Sequence, residues 1–463
     1  MKVGELRDKS ILLLGFGQEG IETYRFLRHV FPSKHFGIAD RSVEAIRQVA
    51  KELQTDNVSF YLGDDYDKTV IDYEVIIKTP GIPLISPALQ TAISSGKTIT
   101  SHTALFLENC PGVVIGITGT KGKSTTTSLI YSILQKAGLD THLVGNIGNP
   151  PLGLLNESGD KTHFVYEMSS FQLENVTGSP HVAVLLNIVP EHLDTYPSFD
   201  EYVNAKANIT KYQTSNDYLV YNSDYEIPRT IAARTRAQLY PFSTSSVVHC
   251  GSFLQNNKIL FATGSKEEVI LTTEEVPLLG AFNLNNVLAA ITVAGILGVY
   301  RDKIATGVRS FKALEHRFEF VGQYKGIKFY NASIATVPEA TIEHINVLAS
   351  ELDTILLGGH DRGLNFTALA RRILQSSIKT LILFPQTGER IWNAIREVSG
   401  KSKELPARHF VNDMREAVKI AYQVTQRGKT CLHSPASPSY GIFKNFEERG
   451  QMFKSFVREL GAD

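Results

Sequence analysis

In "VVIGITGTKGKSTTTSLI" a run of β-branched residues passes through a glycine-rich loop into a lysine, a serine and a helix-like stretch. Backbone N–H groups of 118–123 can cradle phosphate oxygens, and Lys123 can neutralise β- and γ-phosphate charge. The hydroxyl of Ser124 or Thr125 can ligate magnesium. The loop misses G-x-x-x-x-G-K-[ST] by one place, since Ile117 stands where the first glycine belongs and Gly116 comes one residue too early. ATP or GTP is the expected ligand. The strand-like "THFVYE" ends in Glu167, where hydrolysing NTPases keep a magnesium-binding acid; the alternative is an acid that caps the helix after it. The next apolar run, "LLNIVPEHLD", sets His192 and Asp194 at the carboxyl edge of the same sheet, where α/β proteins gather their ligands.

A second loop, "ILLLGFGQEG", carries Gly15-x-Gly17-x-x-Gly20, and "HFGIAD" ends in Asp40 about twenty residues on. Glycines there let backbone approach a pyrophosphate at a helix N-terminus, and the acid can accept from a ribose hydroxyl. A dinucleotide, a nucleotide-sugar or another pyrophosphate ligand, and a merely structural tight turn all satisfy this motif. The turn "KTPGIP" follows the strand-like "YEVII" and can close over the same ligand.

These residues need strand ends and helix starts to hold them, and the pattern supplies both. Short β-branched runs alternate with amphipathic stretches, as in "SILLLGFG" then "GIETYRFLRHVF" and "LDTILLGG" then "FTALARRILQSS", which predicts parallel α/β units. Ser198 and Asn365 are the expected caps of the helices that follow them. A chain of 463 residues suggests about three domains, with boundaries near "ALFLENCPG" and near "FKALEHRFEFVGQYKG". The formal net charge is zero, so nucleic acid is not an expected partner. Three widely spaced cysteines make neither a disulfide framework nor a metal cluster, and fit a reducing compartment. The first apolar run ends after four residues in a glycine turn, unlike an export leader. The longest, 287–300, is shorter than the roughly 18–20 residues of a bilayer span. A cytoplasmic protein that does not enter membranes is expected.

The motifs "GTKGKST", "VGNIG", "EMSSFQLE", "NIVPEHLDTYPSFDEYVNAKANI", "GAFNLNN", "EHRFE", "LLGGHDRG" and "SPASPSYGIFKNFEERG", in this order across the whole chain, closely resemble the Mur ligases, above all their D-glutamate-adding branch. The resemblance implies an α/β protein of three domains: a Rossmann-like domain that binds a UDP substrate (1–108), a central P-loop ATPase-like domain with a mostly parallel sheet (109–312), and a Rossmann-like amino-acid-binding domain (313–463). It implies an ATP-dependent ligase of peptidoglycan precursor synthesis. Such an enzyme phosphorylates the carboxylate of UDP-N-acetylmuramoyl-L-alanine and adds D-glutamate to the acyl phosphate. Ligation of L-glutamate and a folate-type polyglutamate ligase are the alternatives. A monomer is expected.

Residue by residue, the resemblance assigns Gly119, Thr120, Lys121, Gly122, Lys123, Ser124 and Thr125 to the ATP phosphates. Asn283 and Asn286 fall near the adenine, and Arg317 reaches the phosphates. Ser124, Glu167, His192 and Lys206 surround two magnesium ions, with Lys206 carried as a carbamate, and Lys123, Lys206, His192 and Glu167 are the catalytic set. Gly17, Gln18, Glu19, Asp40, Arg41 and Gly81 take the uridine and its diphosphate, which favours a UDP ligand for the first loop. Asn146 touches the muramoyl part. Thr336, Arg362, Ser439 and Phe446 take the amino acid. The chain departs from the branch at 332–337: "ASIATV" stands where D-S-K-A-T-N is usual, with Ala332, Ile334 and Val337 replacing an acid, a lysine and an asparagine. Arg362 replaces a lysine, a bidentate fork in place of a point charge. The expected carboxylate pocket is therefore kept but reshaped.

Overall fold

The computed structural model describes residues 1–462 apart from 51–52, 54–55, 192–194 and 401–403. Its strands form three sheets. In the first, β1 (Ile11–Leu14), β2 (Phe36–Asp40), β3 (Val58–Leu62), β4 (Val75–Lys78) and β5 (Thr98–Ser101) run parallel in the order β3-β2-β1-β4-β5. The whole of β1 is buried, with no residue more than 1% exposed. Burial on both faces is why it reads as an unbroken apolar run, and each of its side chains adds about 1.5–3 kcal/mol.

The second sheet holds β6 (Val113–Thr118), β7 (Thr141–Gly145), β8 (His163–Glu167), β9 (Val182–Leu185), β10 (Tyr218–Asn222), β11 (Gln238–Ser243), β12 (Cys250–Gln255), β13 (Lys258–Thr263) and β14 (Lys266–Thr272). Their order is β14-β13-β12-β11-β10-β9-β6-β8-β7, so β6 lies between the strands that end at Glu167 and Leu185. The β12–β13 and β13–β14 pairings are antiparallel. Asn256 and Asn257, both at positive φ, turn the first hairpin, as consecutive left-handed turn residues do. The first two sheets belong to one compact unit, Met1–Val276 with Leu284–Phe311.

The second unit, Pro277–Asn283 with Lys312–Asp463, carries the third sheet. There β15 (Glu319–Tyr324), β16 (Ile327–Asn331), β17 (Leu352–Gly358), β18 (Thr380–Phe384), β19 (Ala407–Phe410) and β20 (Thr430–His433) take the order β15-β16-β20-β17-β18-β19, parallel except for the β15–β16 hairpin.

The apolar segment at 287–300 forms most of the helix Ala281–Ile296, whose residues 287–291 are completely buried, but Tyr300 beyond its end is 84% exposed. Ser198 caps Phe199–Ala207 by accepting from Glu201 N–H. Asn365 is not the N-cap expected of it: the helix begins at Thr367 with Phe366 at the N-cap, and Asn365 Oδ1 accepts from Thr367 N–H across a local turn. Among the described residues no helix is long and apolar enough to cross a membrane.

Candidate active site

The phosphate loop spans the end of β6 and the start of the helix Lys123–Ala137. Its two glycines are required by geometry. Gly119 (φ +150°) would place a Cβ 2.7 Å from Leu186 Cβ, and Gly122 (φ +89°) one 2.3 Å from Asn286 Oδ1. Thr120 N–H donates to Asn187 O (2.7 Å), and Lys121 N–H donates to Asn187 Oδ1 (3.1 Å). The Lys121 ammonium pairs with Glu191 (2.5 Å). Ser124 is buried and Thr125 half-buried in the first turn. Asn286 Oδ1 accepts from Thr126 Oγ1 (3.1 Å), so the helix Ala281–Ile296 sits against the start of the loop helix. Asn283 lies in the first turn of Ala281–Ile296 and donates to Leu279 O.

Two ammonium groups converge on this loop. Lys123 Nζ donates to Gly119 O (3.1 Å) and Thr120 O (3.0 Å), while Lys206 Nζ donates to the same Gly119 O at 2.8 Å. Lys206 is 2% exposed on the helix Phe199–Ala207 and stands 4.7 Å from the centre of the Tyr202 ring. Burial pushes its ammonium well below the usual lysine range and the neighbouring Lys123 charge pushes the same way, against Glu191 and Glu167. Tyr202 also shares a hydrogen bond with Thr120 Oγ1 (3.2 Å). Sequence reasoning passed over Tyr202, although its place one helical turn before Lys206 was a legible signal.

Glu167 ends β8 and is 1% exposed. Asn146 Nδ2 donates to its Oε1 at 3.3 Å, and its Oε2 is buried without a hydrogen-bond partner among the described residues. The capping alternative fails, because Ser169 and Gln172 form the capping box of the helix Ser170–Leu173. A buried, unpaired carboxylate oxygen is costly alone and suits a cation. The residues present therefore fit magnesium. His192 and Asp194 lie outside the described residues.

The first loop has a divided use of glycine. Gly15 (φ +88°) would put a Cβ 2.0 Å from Thr79 Oγ1, and Gly20 one 2.4 Å from Gly15 O, whereas Gly17 has open space and an ordinary φ of −72°. Gly17 and Gln18 are exposed at the start of the helix Gln18–Val30. Asp40 ties the loop down, accepting from Phe16 N–H (2.6 Å) and Ser42 N–H (2.7 Å). Arg41 is exposed beside Asp64, and Gly81 is exposed with nothing near its would-be Cβ. Glu19 turns inward instead: its Oε1 accepts from Gln172 Nε2 (2.6 Å), and burial raises its pKa against that bond and the Lys78 charge. Lys78, 1% exposed, donates to Ile82 O (3.0 Å) and lies 3.6 Å from Glu174. Lys78, Gln172 and Glu174 escaped sequence reasoning, because a polar side chain at a strand end or about a short helix reads as solvated. A cavity of about 460 Å³ is lined by Gly81, Pro83, Lys123, Asn146, Phe171 and Lys206, among others, so the 80–83 loop and the phosphate loop face one space.

On the third sheet, the loops after β17 and β20 leave neighbouring parallel strands at their carboxyl ends. Arg362 is exposed on the first; Ser439 is buried on the second. Phe446 O accepts from Ser333 Oγ (2.8 Å), and Thr336 is half-buried two residues before the helix Pro338–Leu348. Arg317 is half-buried between two positive-φ residues, His316 and Phe318. Ala332 and Ile334 flank Ser333. Arg449, 1% exposed, donates to Ser333 Oγ and O and to Ser437 O, and burial lowers its pKa to about 9.

Models of three domain families match the chain: the MurD-like N-terminal domain of Mur ligases over residues 9–101, the Mur ligase middle domain over 117–294, and the Mur ligase glutamate ligase domain over 316–437. The UDP-N-acetylmuramoylalanine–D-glutamate ligase of Acetivibrio thermocellus is 35% identical over 99% of this chain and 98% of its own. The ligase of the same name from Clostridioides difficile is 35% identical over 98% of this chain and 100% of its own. Among solved structures, MurF ligase of Thermotoga maritima in complex with ADP covers 99% of this chain and is covered over 97% of its own, at TM-score 0.59 and 17% identity. UDP-N-acetylmuramate-alanine ligase MurC of the same organism has a TM-score of 0.59 at 15% identity over 98% of this chain and 100% of its own, so these two share the fold. With relatives of that identity over almost its full length, and three α/β domains in the order the models require, the chain belongs to the Mur ligases, a family of ATP-dependent amide ligases that use Mg²⁺.

Proposed function

We propose that the protein adds D-glutamate to UDP-N-acetylmuramoyl-L-alanine in the cytoplasm, within the domain limits 1–108, 109–312 and 313–463. The names of its relatives support the substrates. The observation that carries the chemistry is the cavity in which Gly81 of the first sheet's loop meets Lys123 and Lys206 of the second. A substrate anchored on the first sheet by Gly17, Gln18, Asp40, Arg41 and Gly81, with Asn146 at its muramoyl part, extends its carboxylate to that point, while Glu19, turned inward onto Gln172, supports the loop from behind.

Magnesium supplies positive charge on the phosphoryl oxygens when bound, and Ser124, Glu167, His192 and a carbamylated Lys206 would hold two ions. The carbamate forms when the neutral Lys206 amine bonds the carbon of CO₂ and releases one proton; burial among repelling charge favours that neutral amine. The loop N–H groups and Lys123 neutralise the transferring phosphoryl group, so two anions can approach each other. Asn283 and Asn286 hold the adenine and Arg317 the phosphates. The substrate carboxylate attacks the γ-phosphorus and ADP leaves. The glutamate amine, having lost a proton, attacks the acyl carbonyl; the tetrahedral adduct gives up a second amine proton as phosphate departs, leaving the amide. Thr336, Arg362, Ser439 and Phe446 orient the glutamate.

A coupled ADP-release assay with D- and L-glutamate in parallel tests this. Release is expected only when ATP, Mg²⁺, UDP-N-acetylmuramoyl-L-alanine and glutamate are all present, with the D isomer the faster. Equal release without the nucleotide-sugar would sink the reading, and oxygen-18 in its carboxylate that never reaches phosphate would remove the acyl phosphate.

A further inference from the structure

The loops that follow β17 and β20 are pinned to each other by their backbones. Gly358 N–H donates to Pro435 O (2.8 Å) and His360 N–H to Pro438 O (2.9 Å). A Cβ on Gly359 would fall 2.1 Å from Pro438 O, so no other residue permits this approach. Two side chains project from the pinned pair. Arg362 lays its guanidinium carbon 5.7 Å from the centre of the Tyr440 ring, and His360 meets the same ring edge-on at 6.2 Å. Tyr440 is 52% exposed although large and apolar. Asp361, the acid next to Arg362, is already taken by Arg390 and by Gly363 N–H. Among the described residues nothing accepts a hydrogen bond from the Arg362 guanidinium or pairs with its charge.

A guanidinium held over an aromatic ring by cation–π attraction samples fewer orientations of its N–H fork, and a planar carboxylate matches that fork with two parallel hydrogen bonds. An unstacked arginine at an exposed position would sample many planes and lose rotamer freedom on binding. We propose that Tyr440 is a positioning residue for the incoming amino acid: its ring fixes the Arg362 fork so that one carboxylate of an α-amino dicarboxylic acid is gripped in two places. This rests on the glutamate-ligase reading above.

Tyr440→Leu and Tyr440→Phe, assayed for ADP release at saturating ATP and UDP-N-acetylmuramoyl-L-alanine, separate this role from a structural one. Leucine removes the π face and is expected to raise KM for D-glutamate about two- to fivefold, the range of an exposed cation–π contact, with kcat and the KM for ATP unchanged. Phenylalanine keeps the face and restores the wild-type KM. In an Arg362→Ala background the leucine change adds nothing. An unchanged glutamate KM in Tyr440→Leu, an equal defect in Tyr440→Phe, or a parallel rise in the KM for ATP overturns the positioning role alone. Wild-type protein without glutamate-dependent release removes both the role and the reading beneath it.

Discussion

Glu167 is a carboxylate that the fold leaves half satisfied. One oxygen takes a long bond from Asn146 and the other takes none among the described residues, inside a 1% exposed side chain. Glu167→Gln keeps the shape and an acceptor for Asn146 but removes the charge. It should lower kcat about 10²–10³-fold, the loss seen when one preorganised electrostatic partner is removed, while leaving the melting temperature equal or higher. If instead the variant melts lower and turns over normally, the acid is structural. At this scale part of the motif was legible: Gly119 and Gly122 make the close backbone approaches that a glycine-rich loop implies, and Lys123 opens the helix that follows it. Lys78 and Arg449 were not, since each is buried by strands and helices far away in sequence, and a lone chain position carries no sign of that.

At the scale of the element, the two glycine loops divide glycines into those the fold demands and one it does not. Gly15→Ala places a methyl carbon on Thr79 Oγ1 at a positive φ, combining a clash with backbone strain. It should lower the melting temperature sharply and cost at least about 1–3 kcal/mol. Gly17→Ala meets neither obstacle. It should fold and melt like wild type yet raise KM for the nucleotide-sugar, because the methyl group stands where a diphosphate would approach the helix start. Equal KM values for Gly17→Ala and wild type would place the diphosphate elsewhere. Parallel β-α units were readable because fully buried strands are continuous apolar runs. The β12–β13–β14 and β15–β16 hairpins were not anticipated, although the Asn256-Asn257 and Lys325-Gly326 pairs at positive φ were available as turn signals. The Asn365 helix starts later than expected because Asn365 bonds Thr367 in a turn before the first helical residue.

On the scale of the whole molecule, each compact unit encloses a histidine that must stay neutral. In the first, His102 lies between Thr23 Oγ1 (2.8 Å) and Leu152 N–H (3.4 Å). Thr23 spends its own proton on Glu19 O, so His102 donates through Nδ1 and accepts through Nε2, and a second ring proton would point at an N–H. Burial holds its pKa near 3. In the second unit burial holds His344 at about 4, its ring stacked 4.6 Å from Phe318, and His316 and His433 are displaced the same way. Folded values below the unfolded 6.5 mean that the unfolded chain binds more protons as pH falls. The stability these groups contribute is complete above pH 6.5 and declines as pH drops toward the folded values. At pH 5.5 each of His102 and His344 should remove about 1.4 kcal/mol. Carboxylates with lowered pKa values act only below their ordinary 4.5, and Glu19, raised by burial, opposes part of the loss in the first unit as pH falls toward that value. Hydrogen exchange of the slowest amides in β6 and β17 at pH 7.5 and 5.5, corrected for intrinsic rates, reads the two units separately. Both should lose protection at the lower pH, and His102→Gln should flatten the response in β6 alone. Equal protection at the two pH values in the wild-type protein would show that these rings are charged or exposed in the folded state.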